Sequence, residues 1–243
     1  MKVLVIPDVH LKYKMFERSD AIIESGQAER AVVLGDLVDD WHCEMRDDMY
    51  KTLFDRARKF HKEHPDTLWC WGNHDLAYFH CHPCSGTSIM HLGTIRAYQR
   101  RWIKAVGGQG HGLALAIVHK IDNVLFSHAG ISADWVERNL SEKQQETLEN
   151  VLKGINEADL LALWEKDSPV WYRPQIDGEN MWGPFYHVVG HTPLYKVEDG
   201  FNVISTDVFS SDRDGEVTGE RRFIIVDTES GNWRYADERD LDR

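Results

Sequence analysis

Five short apolar runs in this chain end alike, each leading through a small residue into a side chain able to bind metal. Residues 3–6 lead through Pro7 into Asp8 and His10, residues 31–34 into Gly35-Asp36, and residues 68–71 into Gly72-Asn73-His74-Asp75. Residues 124–127 meet His128, and residues 187–189 meet Gly190-His191. Runs this short, rich in Val, Ile, Leu and Trp, predict strands buried on both faces. Open α/β sheets place their chemistry beyond the strand ends. Five such ends can therefore meet in one cleft.

The spacers read as helices. Residues 13–25 close at Gly26, residues 44–63 stop at Pro65, and residues 95–106 end at Gly107-Gly108. From 132 to about 164 the chain is charged and amphipathic, with Ser141-Glu142 as a helix start. Because it falls between two ligand-bearing strands, it predicts a helical insertion, about 132–168, overhanging the site. Beyond His191, residues 201–205, 222–226 and 233–236 read as strands whose hairpin spacing predicts an antiparallel end to the sheet. At 243 residues the expected organisation is one domain over 1–236 with a charged tail at 237–243.

A formal net charge of −12 argues against a sequence-independent grip on nucleic acid or an anionic membrane. A phosphate substrate can still be held if metal ions supply local positive charge. No apolar run approaches the roughly 18 residues of a membrane span, and the N-terminal run is too short for a signal-peptide core. A cytoplasmic location is expected. Four cysteines in this length do not form a disulfide framework.

The chemistry follows from the residue types at the strand ends. Asp8 and His10 alternate on what reads as an extended segment, so both can face one ion. Asp36 has two carboxylate oxygens and can bridge to a second ion, completed by Asn73, His128 and His191. Oxygen and imidazole ligands without thiolate suit manganese, with iron or zinc as alternatives, better than calcium or a structural zinc. Two ions about 3.5–4 Å apart stabilise the attacking and leaving oxygens of phosphoryl displacement. A bridging water, deprotonated near neutral pH, then serves as nucleophile.

Asp8-Val9-His10, Gly35-Asp36-Leu37-Val38-Asp39, Gly72-Asn73-His74-Asp75, Ser127-His128-Ala129-Gly130 and Gly190-His191-Thr192-Pro193 resemble, in order, the five signatures of calcineurin-like metallophosphoesterases. The resemblance implies an α/β fold, a β-sandwich flanked by helices in α/β/β/α layers, with two divalent metals. It implies that Asp8, His10 and Asp36 hold one metal, and that Asp36, Asn73, His128 and His191 hold the other. It makes His74 the catalytic acid, oriented by Asp39, and gives Asp207 a supporting role. A histidine beside a carboxylate is the physically apt acid near pH 7. Within the family, the Gly-Asn-His-Asp and His-Ala-Gly-Ile segments are most similar to symmetrical diadenosine tetraphosphatases and phage-type serine/threonine protein phosphatases. Trp171-Tyr172-Arg173-Pro174 resembles the stretch that carries a phosphate-gripping arginine in those enzymes, which makes Arg173 and Asn73 the expected substrate contacts. Where relatives place another arginine, this chain has Asp40 and Trp41.

The leading expectation is therefore a phosphatase acting on phosphomonoesters, small or protein-bound. The same metals would serve a nucleotide phosphodiesterase or dinucleoside polyphosphate hydrolase. A non-catalytic metal-binding module would not need the paired His74 and Asp39. The segment His80-Cys81-His82-Pro83-Cys84 has zinc-ligand spacing but lacks an evident second half, and a reduced loop near the cleft is expected. His61, His64, His111, His119 and His187 read as surface or packing residues. Most tryptophans are expected in the core; Trp41 and Trp182 lie near the site segments, where packing is favoured over stacking on a base.

Overall fold

The first three apolar runs become parallel neighbours. In a computed structural model describing residues 1–177 and 180–238, strands β1 (Lys2–Ile6), β2 (Arg30–Val33) and β3 (Leu68–Cys70) lie side by side. Val3 faces Arg30 across β1 and β2, and Val32 faces Leu68 across β2 and β3. Helices α1 (Lys14–Glu24) and α2 (Asp47–Glu63) connect them, α3 (Asn73–His80) starts directly beyond β3, and α4 (Leu92–Ala105) packs on α2. Trp69 ties this layer together. Its ring centroid lies 5.4 Å from that of Trp102 and 5.8 Å from that of Phe16, and such pairs contribute about 0.5–1.5 kcal/mol beyond their buried area.

The two-residue strand β4 (Leu115–Ala116) pairs with β3, and one residue later the chain enters a second sheet. Here β5 (Val118–Ile121) pairs antiparallel with β6 (Val124–Ser127). Helices α5 (Ala133–Asn139), α6 (Glu142–Gln145), α7 (Leu148–Asn156), α8 (Leu160–Leu163) and α9 (Pro174–Asp177) then precede β7 (Tyr186–Val189), β8 (Glu198–Gly200) and β9 (Val203–Ser205). The second sheet runs β5-β6-β7-β9-β8. Strands β10 (Ile224–Asp227) and β11 (Trp233–Tyr235) return to the first, giving β11-β10-β1-β2-β3-β4. One apolar core spans both sheets, with α1 against β1 and β2 and α7 against β5. The layering is helix, sheet, sheet, helix. Polar contacts tie the two sheets together, among them His119 Nε2 with the Trp69 carbonyl at 2.9 Å, Cys70 Sγ with the Phe126 carbonyl at 3.5 Å, and Trp233 Nε1 donating to Asp199 Oδ2 at 2.9 Å.

Two expectations are corrected. The C-terminal runs do not form one antiparallel end. Strand β9 pairs parallel to β7 in the second sheet, whereas the β10–β11 hairpin extends the first sheet beside β1. The segment 132–164 is four short helices, and none of its residues lines the cleft that holds Asp36, His74 and Arg173. Its apolar side chains Trp135, Val151 and Ile155 are drawn into the core, which keeps these helices against the sheet. Trp171 and Arg173, just after it, reach the cleft instead. Of the expected charged tail, residues 239–243 lie outside the described residues.

Candidate active site

All five ends converge at one edge of the sandwich, three from the first sheet and two from the second. The approach of these loops explains the small residues in the pattern. A Cβ on Gly72 would overlap the carboxylate of Asp36, and one on Gly190 would overlap Asp8 Oδ1. Glycine at these two positions lets carboxylates from neighbouring strand ends close on the backbone.

The backbone is held unusually here. His10, Asp36, Asp39 and His191 have φ of 42°, 43°, 62° and 62°, in the left-handed region that L-residues disfavour. Such residues each cost about 1–3 kcal/mol and persist where surrounding structure enforces them. The expected extended Asp8-Val9-His10 segment is therefore a turn. The amides of Val9 and His10 both donate to the Asp36 carbonyl, at 3.1 and 2.8 Å, and this curls the chain over the end of β2.

Two overlapping groups result, each with ligand atoms within 4.8 Å of one another: Asp8, His10 and Asp36, and Asp36, His128 and His191. Asp36 is common to both. His10 Nε2 lies 4.0 Å from Asp8 Oδ2 and 3.8 Å from Asp36 Oδ2. His128 Nε2 lies 3.4 Å from Asp36 Oδ2, 3.0 Å from Asn73 Oδ1 and 3.0 Å from His191 Nδ1. The other ring nitrogens fix the tautomers. His128 Nδ1 donates to the Leu34 carbonyl at 3.0 Å, and His10 Nδ1 donates to the Asp39 carbonyl at 2.8 Å. Both rings thus turn Nε2 inward, as metal-ligating histidines do.

The electrostatics fit divalent cations. Burial, aided by the charges of Asp207 and Asp36, pushes the Asp8 carboxyl well above its ordinary range. Burial would also raise Asp36, but the charges of His128 and His74 outweigh it and hold that carboxyl low. Burial disfavours the His128 cation, yet Asp36 and Asp8 raise its pKa to about 9. His191 is held well below its usual value by burial and by the charges of His128 and Arg173. Its Nε2 is buried without a hydrogen-bond partner. Without metal, the centre must keep a proton among converging acceptors. A divalent ion can take that proton's place, because metal ligands bind in their deprotonated forms.

His74 stands beside this centre. Its Nδ1 lies 2.9 Å from Asp39 Oδ2, and its amide donates to Asp36 Oδ1 at 2.9 Å. Burial lowers its pKa, but the Asp36 charge and the Asp39 hydrogen bond raise it well above the ordinary value. Both His74 and Asp39 line a cleft of about 300 Å³ that also contains His10, Asp36, Asn73 and His191. Arg173 is on the same wall, its Nη1 donating to the His191 carbonyl and to Thr192 Oγ1, each at 3.1 Å. Asp40, at the position of the arginine in relatives, pairs with Lys12 Nζ at 2.8 Å. Asp207 is buried, accepting from Ser210 Oγ at 2.7 Å.

Several features were not anticipated. Trp41 is 43% exposed and lines the cleft rather than packing inside, because its indole N–H is held at 3.0 Å by the Ser211 carbonyl at the rim. Trp182 is half-buried against Phe185. The loop expected near the cleft does reach it: Cys84, Ser85 and Gly86 form part of its wall, with Cys84 Sγ 3.9 Å from His74 Nδ1. Among the described residues, neither group able to hold a metal includes Cys81 or Cys84. Tyr50 and Tyr78 donate to Asp39 Oδ1 at 2.7 and 2.6 Å. Asp75 accepts from the amides of Leu37 and Gly72 at 3.1 and 3.2 Å, and burial with the Asp36 charge pushes its carboxyl up to about 7.

The sequence matches the calcineurin-like phosphoesterase family over residues 1–218. No curated protein matches it. Its structure is similar to that of a Saccharomyces cerevisiae protein serine/threonine phosphatase with similarity to human phosphatase PP5, at 14% identity and TM-score 0.48, covering 93% of this chain and 72% of that one. It is also similar to a Sphaerobacter thermophilus metallophosphoesterase, at 13% identity and TM-score 0.48, covering 98% and 88%. A third similar structure, described as a novel archaeal phosphodiesterase, has 13% identity and TM-score 0.43, covering 97% and 98%.

Proposed function

Because this chain belongs to the calcineurin-like phosphoesterase family, we propose that it is a two-metal phosphatase acting on phosphomonoesters, small or protein-bound. Asp8, His10 and Asp36 would hold one ion, and Asp36, Asn73, His128 and His191 the other. Manganese suits this donor set, as do iron and zinc. The observation that carries the reading is the presence of Asp36 in both ligand groups, directly beside the His74–Asp39 pair. When bound, the ions would neutralise phosphoryl charge and activate the attacking water.

The chain's own residues complete the chemistry. Asp39 accepts from His74 Nδ1, which leaves Nε2 to deliver a proton to the leaving oxygen. Nη1 of Arg173 is tethered to the loop after β7, and the remaining N–H groups of its planar fork suit phosphate oxygens. The amide nitrogen of Asn73 can assist, since its oxygen faces His128. Lys12 neutralises Asp40 at the rim and reduces repulsion of a dianionic substrate. Four free thiols are compatible with a reducing cytoplasm. Trp41, exposed on the cleft wall, favours a second reading in which a base stacks there and the substrate is a nucleotide diester or dinucleoside polyphosphate.

The test is a substrate panel of monoesters, diesters, dinucleoside polyphosphates and a phosphopeptide, run after dialysis against Mn, Zn, Mg or Fe. Monoesters should turn over fastest. His74→Asn should lose about 10²–10⁴-fold on poor leaving groups and much less on good ones. Faster dinucleotide cleavage would favour the second reading, and no hydrolysis with any metal would defeat both.

A further inference from the structure

Asp39 is buried, and its carboxylate serves two sides at once. Oδ2 accepts from His74 Nδ1 at 2.9 Å, while Oδ1 accepts from the Tyr50 and Tyr78 hydroxyls at 2.7 and 2.6 Å. Its backbone carbonyl also accepts from His10 Nδ1 at 2.8 Å. Among the described residues, His74 is the only basic side chain that pairs with this carboxylate. Two neutral phenols therefore do what an arginine or lysine would otherwise do: they hold a buried carboxylate in place.

Both tyrosines are fully buried, Tyr50 on the inner face of α2 and Tyr78 on α3, with ring centroids 6.2 Å apart. Phenylalanine would fill the same volume, so packing alone does not call for the hydroxyls. Each hydroxyl is aimed at the same oxygen. Rotating the Asp39 carboxylate away would break both of these bonds and the His74 bond together. Burial and the Asp39 charge raise both phenols well above their ordinary pKa, so they remain donors across the working pH range.

The Tyr78 hydroxyl has a second role. It accepts from the Ser88 amide at 2.7 Å, and the Ser88 hydroxyl donates to the Glu44 carbonyl just ahead of α2. The loop 84–88 is thereby tied to the same phenol that holds Asp39. Cys84 Sγ, at the start of this loop, lies 3.9 Å from His74 Nδ1, so the loop sits against the imidazole.

We propose that Tyr50 and Tyr78 are positioning residues that lock the Asp39 carboxylate, and through it the His74 ring, so that Nε2 is held toward the leaving oxygen. The inference rests on the reading of His74 as proton donor. It adds a requirement that the metal ligands do not impose: the acid must be held by hydroxyls from two helices.

The experiment compares Tyr50→Phe, Tyr78→Phe and the double variant with wild type and His74→Asn, using the whole 243-residue chain loaded with manganese. Two monoesters are used, phenyl phosphate with a poor leaving group and p-nitrophenyl phosphate with a good one. Each single variant should lower kcat on phenyl phosphate about three- to tenfold, and the double variant about ten- to a hundredfold. The p-nitrophenyl rate should fall less than about twofold, with KM and bound manganese unchanged. A second readout is independent of activity: the His74 Nδ1–H proton resonance of the metal-free protein, identified by its absence in His74→Asn. It should be sharp in wild type and weakened or lost in the tyrosine variants. An unchanged resonance, or an equal fall on both substrates, overturns the proposal. If His74→Asn shows no leaving-group dependence, the proton-donor reading has failed, and the resonance alone decides whether the phenols hold the ring. If the double variant does not fold, Tyr50→Phe decides, since it leaves the Ser88 amide its acceptor.

Discussion

Gly190→Ala should be far more harmful than its size suggests. Gly190 has no positive φ, so its backbone conformation suits alanine. The obstacle is Asp8. The added methyl would sit 3.1 Å from Asp8 Cγ and overlap Oδ1 outright, where carbon contacts settle at about 3.5–4.0 Å. The carboxylate must retreat by roughly 1 Å. That breaks its bonds from the His191 amide, now 3.1 Å to Oδ1 and 3.0 Å to Oδ2. Losing charge-assisted bonds to a buried carboxylate costs roughly 2–4 kcal/mol. A misplacement of about 1 Å at a reacting centre can also lower turnover by about 10²-fold. Gly93→Ala is the matched control. It lies in α4 with nothing within 4 Å of a new Cβ, and should be neutral or stabilising by up to about 1 kcal/mol. Urea unfolding, metal content and turnover of the two variants provide the comparison. Gly190→Ala with wild-type stability, metal content and kcat would show that the close approach at Asp8 is immaterial.

Two further outcomes follow from named groups. Arg173→Ala should raise KM about ten- to a hundredfold on the best monoester, with Arg173→Lys recovering only part, because a point charge lacks the guanidinium fork; unchanged KM in steady-state kinetics would make Arg173 a tether for the loop after β7. Burial holds His119 and His187 near a pKa of about 4, below the unfolded value of about 6.5, so the unfolded chain takes up protons first as pH falls, and stability is lost from about pH 6.5 down to about 4. His119→Gln, which keeps an N–H for the Trp69 carbonyl but does not titrate, should remove about 2–3 kcal/mol of that loss at pH 4.5, and an unchanged acid limb in urea unfolding would contradict the assignment.

What was legible in the sequence was local. Each of the five apolar runs announced a strand, and the residue after it announced a polar end, because both patterns lie within a few positions. The partition between sheets was not legible. Residues 201–205 and 222–226 have similar apolar patterns, yet β9 joins β7 and β10 joins β1, whose residues lie at the other end of the chain. The turn at His10 was missed because the Asp36 carbonyl that captures its amide comes from another strand end. The insertion was read as an overhang because it falls between two ligand-bearing strands, but Trp135, Val151 and Ile155 anchor it in the core. Tyr50 carried a usable signal: it shares the apolar face of α2 with Leu53, Phe54 and Ala57, and a buried hydroxyl needs an acceptor. That the acceptor is Asp39 could be learned only from the fold. The glycines were seen as punctuation, whereas Gly72 and Gly190 are spaces left for the carboxylates of Asp36 and Asp8.

The central claim is that Asp36 belongs to two metal sites at once. Metal titration of wild type and Asp36→Asn, read by calorimetry and by elemental analysis after dialysis, tests it directly. Asp36 lies within 3.8 Å of His10 Nε2 and 3.4 Å of His128 Nε2, so the account predicts two bound equivalents in wild type and loss of both in Asp36→Asn, with hydrolysis lost alongside. Two equivalents retained in Asp36→Asn, or one site lost with the other at full affinity, would contradict it.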